Sequence, residues 1–340
     1  VLHRGELSKP REVAGPAAPE ALALVPGNAD FSGAPPARRR AALARWLTSP
    51  KDNPLTARVM VNRVWAWHFG AGIVRTPNDF GKQGEPPTHP ELLDWLALDF
   101  AARGWDLKRL HRMIMLSSVY QMESVERESG REIDPANRLL RHFPRRRLDA
   151  ESVWDSLHAC AGTINLKQFG PPVAPPLGKE ELSGLFDAGA KWPVTKDPRE
   201  HGRRAVYLLV RRTFLDPVID AFDPPDMMAS CPVRLATTTP SQALALMNSR
   251  VAAEQARAFA ARLVNESGRD QKKQLARAWL LAFGRPISRA EAAKAREFLA
   301  RRERELSGGG APVSAPVAAQ EALAELGLAL FNANEFIYVD

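Results

Sequence analysis

Cysteine is scarce, with Cys160 and Cys231 the only two among 340 residues. Two thiols are too few for a disulfide scaffold, and neither belongs to a Cys-x-x-Cys-His sequence, so no haem is expected on this stretch of chain. Long apolar runs are missing too. Nothing approaches the ~20 residues that cross a bilayer as a helix, so no membrane span is expected. The chain begins at Val1 without a charged and apolar leader, which places the expected native start upstream. Zinc-finger spacing, an RNA-binding signature and a basic zipper are all absent, and with them the usual signs of a nucleic-acid partner. The balance of 47 basic to 39 acidic side chains gives +8, but runs such as Arg38 to Arg40 and Arg301 to Arg304 read as solvated helix faces.

What the chain does have is length and helical punctuation. Its 340 residues can bury a sizeable core in one large or two modest domains. The stretch from Asn53 to Gln121 concentrates the aromatic, histidine, arginine and glycine signals. Asn53 with Pro54 starts a helix and Gly70 stops it. At 100° per residue, Leu55, Val59, Asn62, Ala66 and Phe69 share one face, while Ala57, Val61, Val64, Trp65 and His68 fill another. A helix apolar around so much of its circumference must be covered by other elements. Asn62 is thereby placed in a core, where its amide must tie down the backbone of a neighbouring segment.

Around this central helix the chain divides into four parts. Residues 1–36 form an extended proline-rich arm, pinned through Leu22, Leu24 and Val25. Residues 37–162 form a helical core domain, 163–236 a loop-rich region with a short strand at 205–210, and 237–340 a C-terminal helical bundle with a linker at 307–316. The expected fold is mainly α: a multi-helix bundle with long Gly/Pro-rich loops and a minor β component. Capping boxes are expected at Thr88/Glu91, Thr239/Gln242 and Ser288/Glu291, and aspartate caps at Asp106 and Asp149. A short helix is expected near Glu180 to Phe186, and the 205–210 strand would pair with the arm or with residues 233–238.

The candidate chemistry is thin. His68, Asp79, His89 and His111 have metal-ligating side chains, but their spacing matches no compact motif, so separate structural roles and no metal site are expected. Asp79, in Thr-Pro-Asn-Asp-Phe-Gly, is read as a turn carboxylate before a general base. Arg63, on the central helix, and Arg75, in the Gly-rich loop, are candidate ligand-binding residues, and Arg146, Arg147, Arg203, Arg204, Arg211, Arg212 and Arg234 are candidates to converge on an anionic ligand. Pairing with acids is the alternative for each of them. Cys231 is a nucleophile only if a neighbour lowers its pKa; otherwise it is a buried thiol.

The segments NRVWAWHFGAGIVRTPNDFGKQGEPPTHPELLDWLA and LHRMIMLSSVYQ, with RRRLDAES at 145–152, TTTPSQALALMNS at 237–249, LAFGRPISRAE at 281–291 and NANEFIYVD at 332–340, resemble the planctomycete-specific domain of unknown function, the PSD type. The resemblance implies the C-terminal module of a large exported protein, periplasmic or otherwise extracytoplasmic, whose upstream domains often include a c-type cytochrome. Haem c would then sit in that separate domain. An exported setting would also favour a Cys160–Cys231 disulfide. No activity comes with the family. Two functions therefore stand: a noncatalytic binding or scaffolding module, or an enzyme, a hydrolase acting on an anionic or polysaccharide substrate through His68, Asp79, His89 and Arg112.

Overall fold

Proline, glycine and short polar side chains set where each helix of this chain begins and ends, and apolar stripes decide what each one covers. The computed structural model describes residues 1–19, 22, 30–182, 192–211, 214–309 and 313–339. It is mainly helical, and its chain separates into two compact units, Val1–Pro144 and Arg145–Val339.

In the first unit the arm makes isolated bridges, Leu2 with Pro10 and Ala17 with Asp30, and gathers Ala18, Leu22 and Phe31 on Trp46. Leu24 and Val25 lie outside the described residues. Trp46 belongs to α1 (Arg39–Thr48), which touches α2 (Leu55–Phe69). Asn53 Oδ1 accepts from the Leu55 amide at 2.9 Å, and Gly70 closes α2 at φ 78°, a left-handed conformation that glycine adopts without a Cβ clash. Next come α3 (Pro90–Ala102), α4 (Leu107–Met115) and the single turn α5 (Glu128–Arg131). Asp106 caps α4 by accepting from the Arg109 amide at 3.1 Å. Val61, Val64, Phe69, Ile73, Leu93, Phe100 and Ile114 are all buried in one core, each contributing about 1.5–3 kcal/mol.

The Thr88/Glu91 capping box does not form. The Thr88 hydroxyl instead bonds His89 Nδ1 at 2.9 Å and the Ile73 carbonyl at 3.3 Å, so α3 starts on Pro90 without a side-chain cap. Closing the base of the loop takes precedence over capping the helix.

The second unit opens with β1 (Arg146–Arg147) and α6 (Ala150–Ala161), capped by Asp149 through the Ser152 amide. This helix packs within the second unit. After α7 (Lys179–Leu182) come α8 (Pro217–Ala221), α9 (Pro240–Asn248), α10 (Arg250–Ser267), α11 (Gln271–Phe283), α12 (Arg289–Gly308), α13 (Ala315–Phe331), α14 (Asn334–Ile337) and β2 (Tyr338–Val339); the rest of the helix expected near Glu180 to Phe186 lies outside the described residues. Capping boxes form at Thr239/Gln242 and Ser288/Glu291. The expected linker at 307–316 shortens to what separates α12 from α13, with 310–312 outside the described residues. Helix α10 packs most extensively on α13 and next on α6, burying Trp154, Phe259, Leu263 and Phe331.

The β component sits elsewhere than expected. Residues 205–207 form a 3-10 turn, and Leu208 bridges Val173 in parallel, rather than the arm or residues 233–238. The two-stranded sheet is β1 antiparallel to β2, with Arg146 opposite Val339 and Arg147 opposite Tyr338. Both cysteines are free, and Cys231 is exposed, against the reading of a buried thiol or a disulfide. Cys160 is buried, donates to the Leu281 carbonyl at 3.1 Å and has its pKa pushed up to about 11 by burial.

Candidate functional site

The Gly/Pro-rich connection between α2 and α3 is held to α2 by one side chain. Asn62 is fully buried; its Nδ2 donates to the Val74 carbonyl at 2.9 Å and its Oδ1 accepts from the Val74 amide at 2.8 Å. Both polar groups of one peptide position are satisfied by a side-chain amide, which is what a lone asparagine in an apolar stripe requires. Gly72 makes this approach feasible, since a Cβ there would stand 2.6 Å from Asn62 Nδ2 and from the Val74 carbonyl oxygen. Beyond Val74 the loop is cross-braced. The Thr88 amide donates to Ile73 O at 2.9 Å, Thr76 Oγ1 donates to Asp79 O at 2.8 Å and accepts from the Glu85 amide at 3.0 Å, and Arg63 donates to Asn78 Oδ1 at 2.8 Å.

The braced loop and the helices beside it enclose an open groove of about 530 Å³. Leu55, Val74, Phe80, Pro86, Pro87 and Leu93 supply its apolar lining; Arg58, Lys82, Glu85 and Asp94 supply charge. Arg58 is committed, with Nε 2.7 Å from Asp94 Oδ1 and Nη1 2.9 Å from the Pro54 carbonyl, and Glu85 takes Arg138 at 3.0 Å. Lys82 makes no ion pair among the described residues. Small-ligand and peptide sites share this composition, an apolar floor with few charges at the rim.

The four residues nominated for catalysis do not line this groove. Asp79 Oδ1 accepts from the Gly81 amide at 2.8 Å, as a turn carboxylate does, and His89 pairs with Thr88. Arg112 lies exposed on α4. His68 meets a residue left out of that set: its Nε2 lies 2.7 Å from His111 Nδ1, with both rings half-buried. Among the described residues no group of three or more His, Cys, Asp or Glu side chains could hold a metal ion.

The nominated arginines are mostly committed to other partners. Arg75 donates to the Ala136 carbonyl at 3.2 Å. In the second unit Arg147 reaches Asp223 at 2.5 Å, Arg204 reaches Asp155 at 2.9 Å and Arg234 reaches Glu151 at 2.5 Å. Arg203 is fully buried, stacked 3.8 Å over the Tyr207 ring, and donates to the carbonyls of Phe169 at 2.6 Å, Lys167 at 3.1 Å and Pro171 at 3.3 Å. Arg211 stands over Trp192, and Arg212 lies outside the described residues. Charge pairing and backbone anchoring, not anion capture, explain Arg147, Arg203, Arg204 and Arg234.

Asp223 is the hub of one such arrangement. Its carboxylate accepts from Arg147, from the Thr237 amide at 2.9 Å and hydroxyl at 2.8 Å, and from Gln242 at 3.4 Å. Burial would raise its pKa, but Thr237 and Arg147 hold it below the ordinary carboxylate value. Thr238 bonds the Tyr338 hydroxyl at 2.8 Å. Three of the motif segments, at 145–152, 237–249 and 332–340, thus meet at one place and brace one another. Asp223 itself carries no signal in sequence, and neither do the groove residues Arg58 and Asp94, because their partners are remote along the chain.

No curated protein and no solved structure matches the chain. A family model does, over residues 39–299, covering the helices that build the groove and most of the second unit. The chain belongs to the PSD1 family, proteins of unknown function (DUF1553).

Proposed function

We propose that this chain is a binding module, not a catalyst, and that the groove beside the Gly/Pro-rich loop docks an extended, apolar and acidic segment of a partner polypeptide. The groove carries the reading. Its apolar lining lies between two elements locked together by Asn62 and Val74, so little order is lost on binding. Lys82, at its edge, suits a carboxylate on the incoming segment. The hydrolase alternative loses support from position: His68, Asp79, His89 and Arg112 lie outside the groove lining, and Asp79 and His89 bond neighbouring loop groups.

The finer setting rests on resemblance to the planctomycete-specific type. It supports an exported, extracytoplasmic protein in which upstream domains of the same polypeptide, a c-type cytochrome among them, are the partners, with haem c held by that neighbour. The test is calorimetric titration of the purified chain with the separately produced remainder of its polypeptide. Saturable binding that Phe80→Ser and Lys82→Glu each weaken at least tenfold supports the proposal. Binding unaffected by both substitutions, or no binding, overturns it. Haem staining of the full polypeptide after cell fractionation tests the compartment separately.

A further inference from the structure

Among the described residues, His68 and His111 are the pair whose imidazole nitrogens face each other across two helices. His68 occupies the last turn of α2 and His111 the middle of α4, and His68 Nε2 stands 2.7 Å from His111 Nδ1. Neighbouring rings set both imidazole planes. Trp67 lies parallel to His111 with centroids 6.5 Å apart, and Tyr120 meets His68 edge-on at 5.3 Å. The opposing nitrogens are therefore presented by ring packing as well as by their own hydrogen bond.

We propose that His68 and His111 form a two-imidazole site for a borderline divalent transition metal, copper(II) before zinc, with water completing the coordination shell. Imidazole suits both ions. At metal–nitrogen distances of ~2.0–2.1 Å, two ligands on one ion lie about 2.9 Å apart at a square-planar angle and about 3.3 Å apart at a tetrahedral one. The existing 2.7 Å separation is nearer the square-planar value, and copper(II) also stands at the top of the affinity order. Each ring must turn by roughly 45° so that both lone pairs converge on the ion instead of meeting along the hydrogen bond. Both facing nitrogens must then present lone pairs, so the proton between them moves to the far nitrogen of its own ring or leaves to solvent. The occupied site would clamp the C-terminal end of α2 to α4, independently of anything docked in the groove.

The experiment is copper(II) titration of the full chain, read by electron paramagnetic resonance and calorimetry. It is performed in a His3→Ala background so that the histidine near the start of the chain does not contribute. One equivalent with hyperfine coupling to two nitrogens is expected. His68→Ala and His111→Ala should each weaken binding at least tenfold, whereas His89→Gln should leave it unchanged. His111→Asn, smaller and still polar, serves if the alanine variant misfolds, as judged by circular dichroism. A copper spectrum without nitrogen coupling, or affinity unchanged in the folded His68 and His111 variants, overturns the proposal.

Discussion

Replacing Asn62 with leucine preserves side-chain size and removes both hydrogen bonds to Val74. The Val74 amide and carbonyl, which Asn62 meets at 2.8 and 2.9 Å in a position of zero exposure, are left without partners. Each stranded buried group costs about 1–3 kcal/mol, or about 2–6 together. Burying leucine in place of the amide offsets about 1.5–3 of that. The expected net destabilisation is therefore about 1–3 kcal/mol, localised in the first unit. A chain with two units need not unfold in one step, so a global melting temperature is a poor readout. Hydrogen exchange followed through urea by mass spectrometry, resolved to peptides spanning residues 55–80, reports the right region. An unchanged urea midpoint for those peptides would refute the argument that Asn62 holds the loop.

Gly72→Ala should destabilise the same peptides by about 1–3 kcal/mol, because its Cβ meets the Asn62 amide and a backbone oxygen at 2.6 Å; wild-type protection there would refute it. Arg147→Ala should cost the second unit about 1.5–3 kcal/mol by removing the cation from a partly exposed Asp223 that keeps its Thr237 bonds, measured as a shift in that unit's urea midpoint. A pH experiment separates two buried groups of that unit. Burial pushes Asp216 from 3.8 up to about 6 and pushes His158 from 6.5 down to about 4. The raised carboxyl favours folding while protonated, a contribution present below pH 3.8 and lost as pH rises through about 6. The depressed imidazole favours folding while neutral, a contribution present above pH 6.5 and lost as pH falls through about 4. The two slopes oppose each other between pH 4 and 6. Asp216→Asn should unmask the histidine slope, so that the variant loses about 3 kcal/mol on acidification from pH 7 to 4 relative to its own neutral stability. Parallel pH profiles for variant and wild type would refute the assignment.

The helical frame was legible because its signals are local. Asp106, Asp149 and the Ser288/Glu291 box cap as their sequence contexts indicate, and Asn62 stood out as a single amide within an apolar stripe. Local signals failed where tertiary demands were stronger. Thr88 has good capping chemistry, but the Ile73 carbonyl and His89 claim its hydroxyl. AVYLLV has strand composition, yet among the described residues it finds only Val173 as a ladder partner, and a lone pairing does not sustain a strand. The sheet of β1 and β2 has two residues per strand, too few to show any period. The groove was half legible: the Gly/Pro run announced a loop, but nothing in sequence links Arg58 to Asp94 or nominates Lys82. The His68–His111 pairing was invisible for the same reason, since two histidines far apart in sequence become neighbours only when α2 and α4 pack.

The pairing of Arg146–Arg147 with Tyr338–Val339 has a consequence for the order of events during synthesis. Helices α6, α10 and α13 can form as soon as they leave the ribosome, whereas the Asp223 hub has its Tyr338 side completed by residues made after all of these helices. Closing so long a stretch of chain is entropically slow, and contacts remote in sequence form late. The second unit should therefore wait, helical but unsealed, until residue 339 has emerged, and the Phe331 ring, which the finished unit buries against Phe336, is a surface a chaperone would meet in that interval.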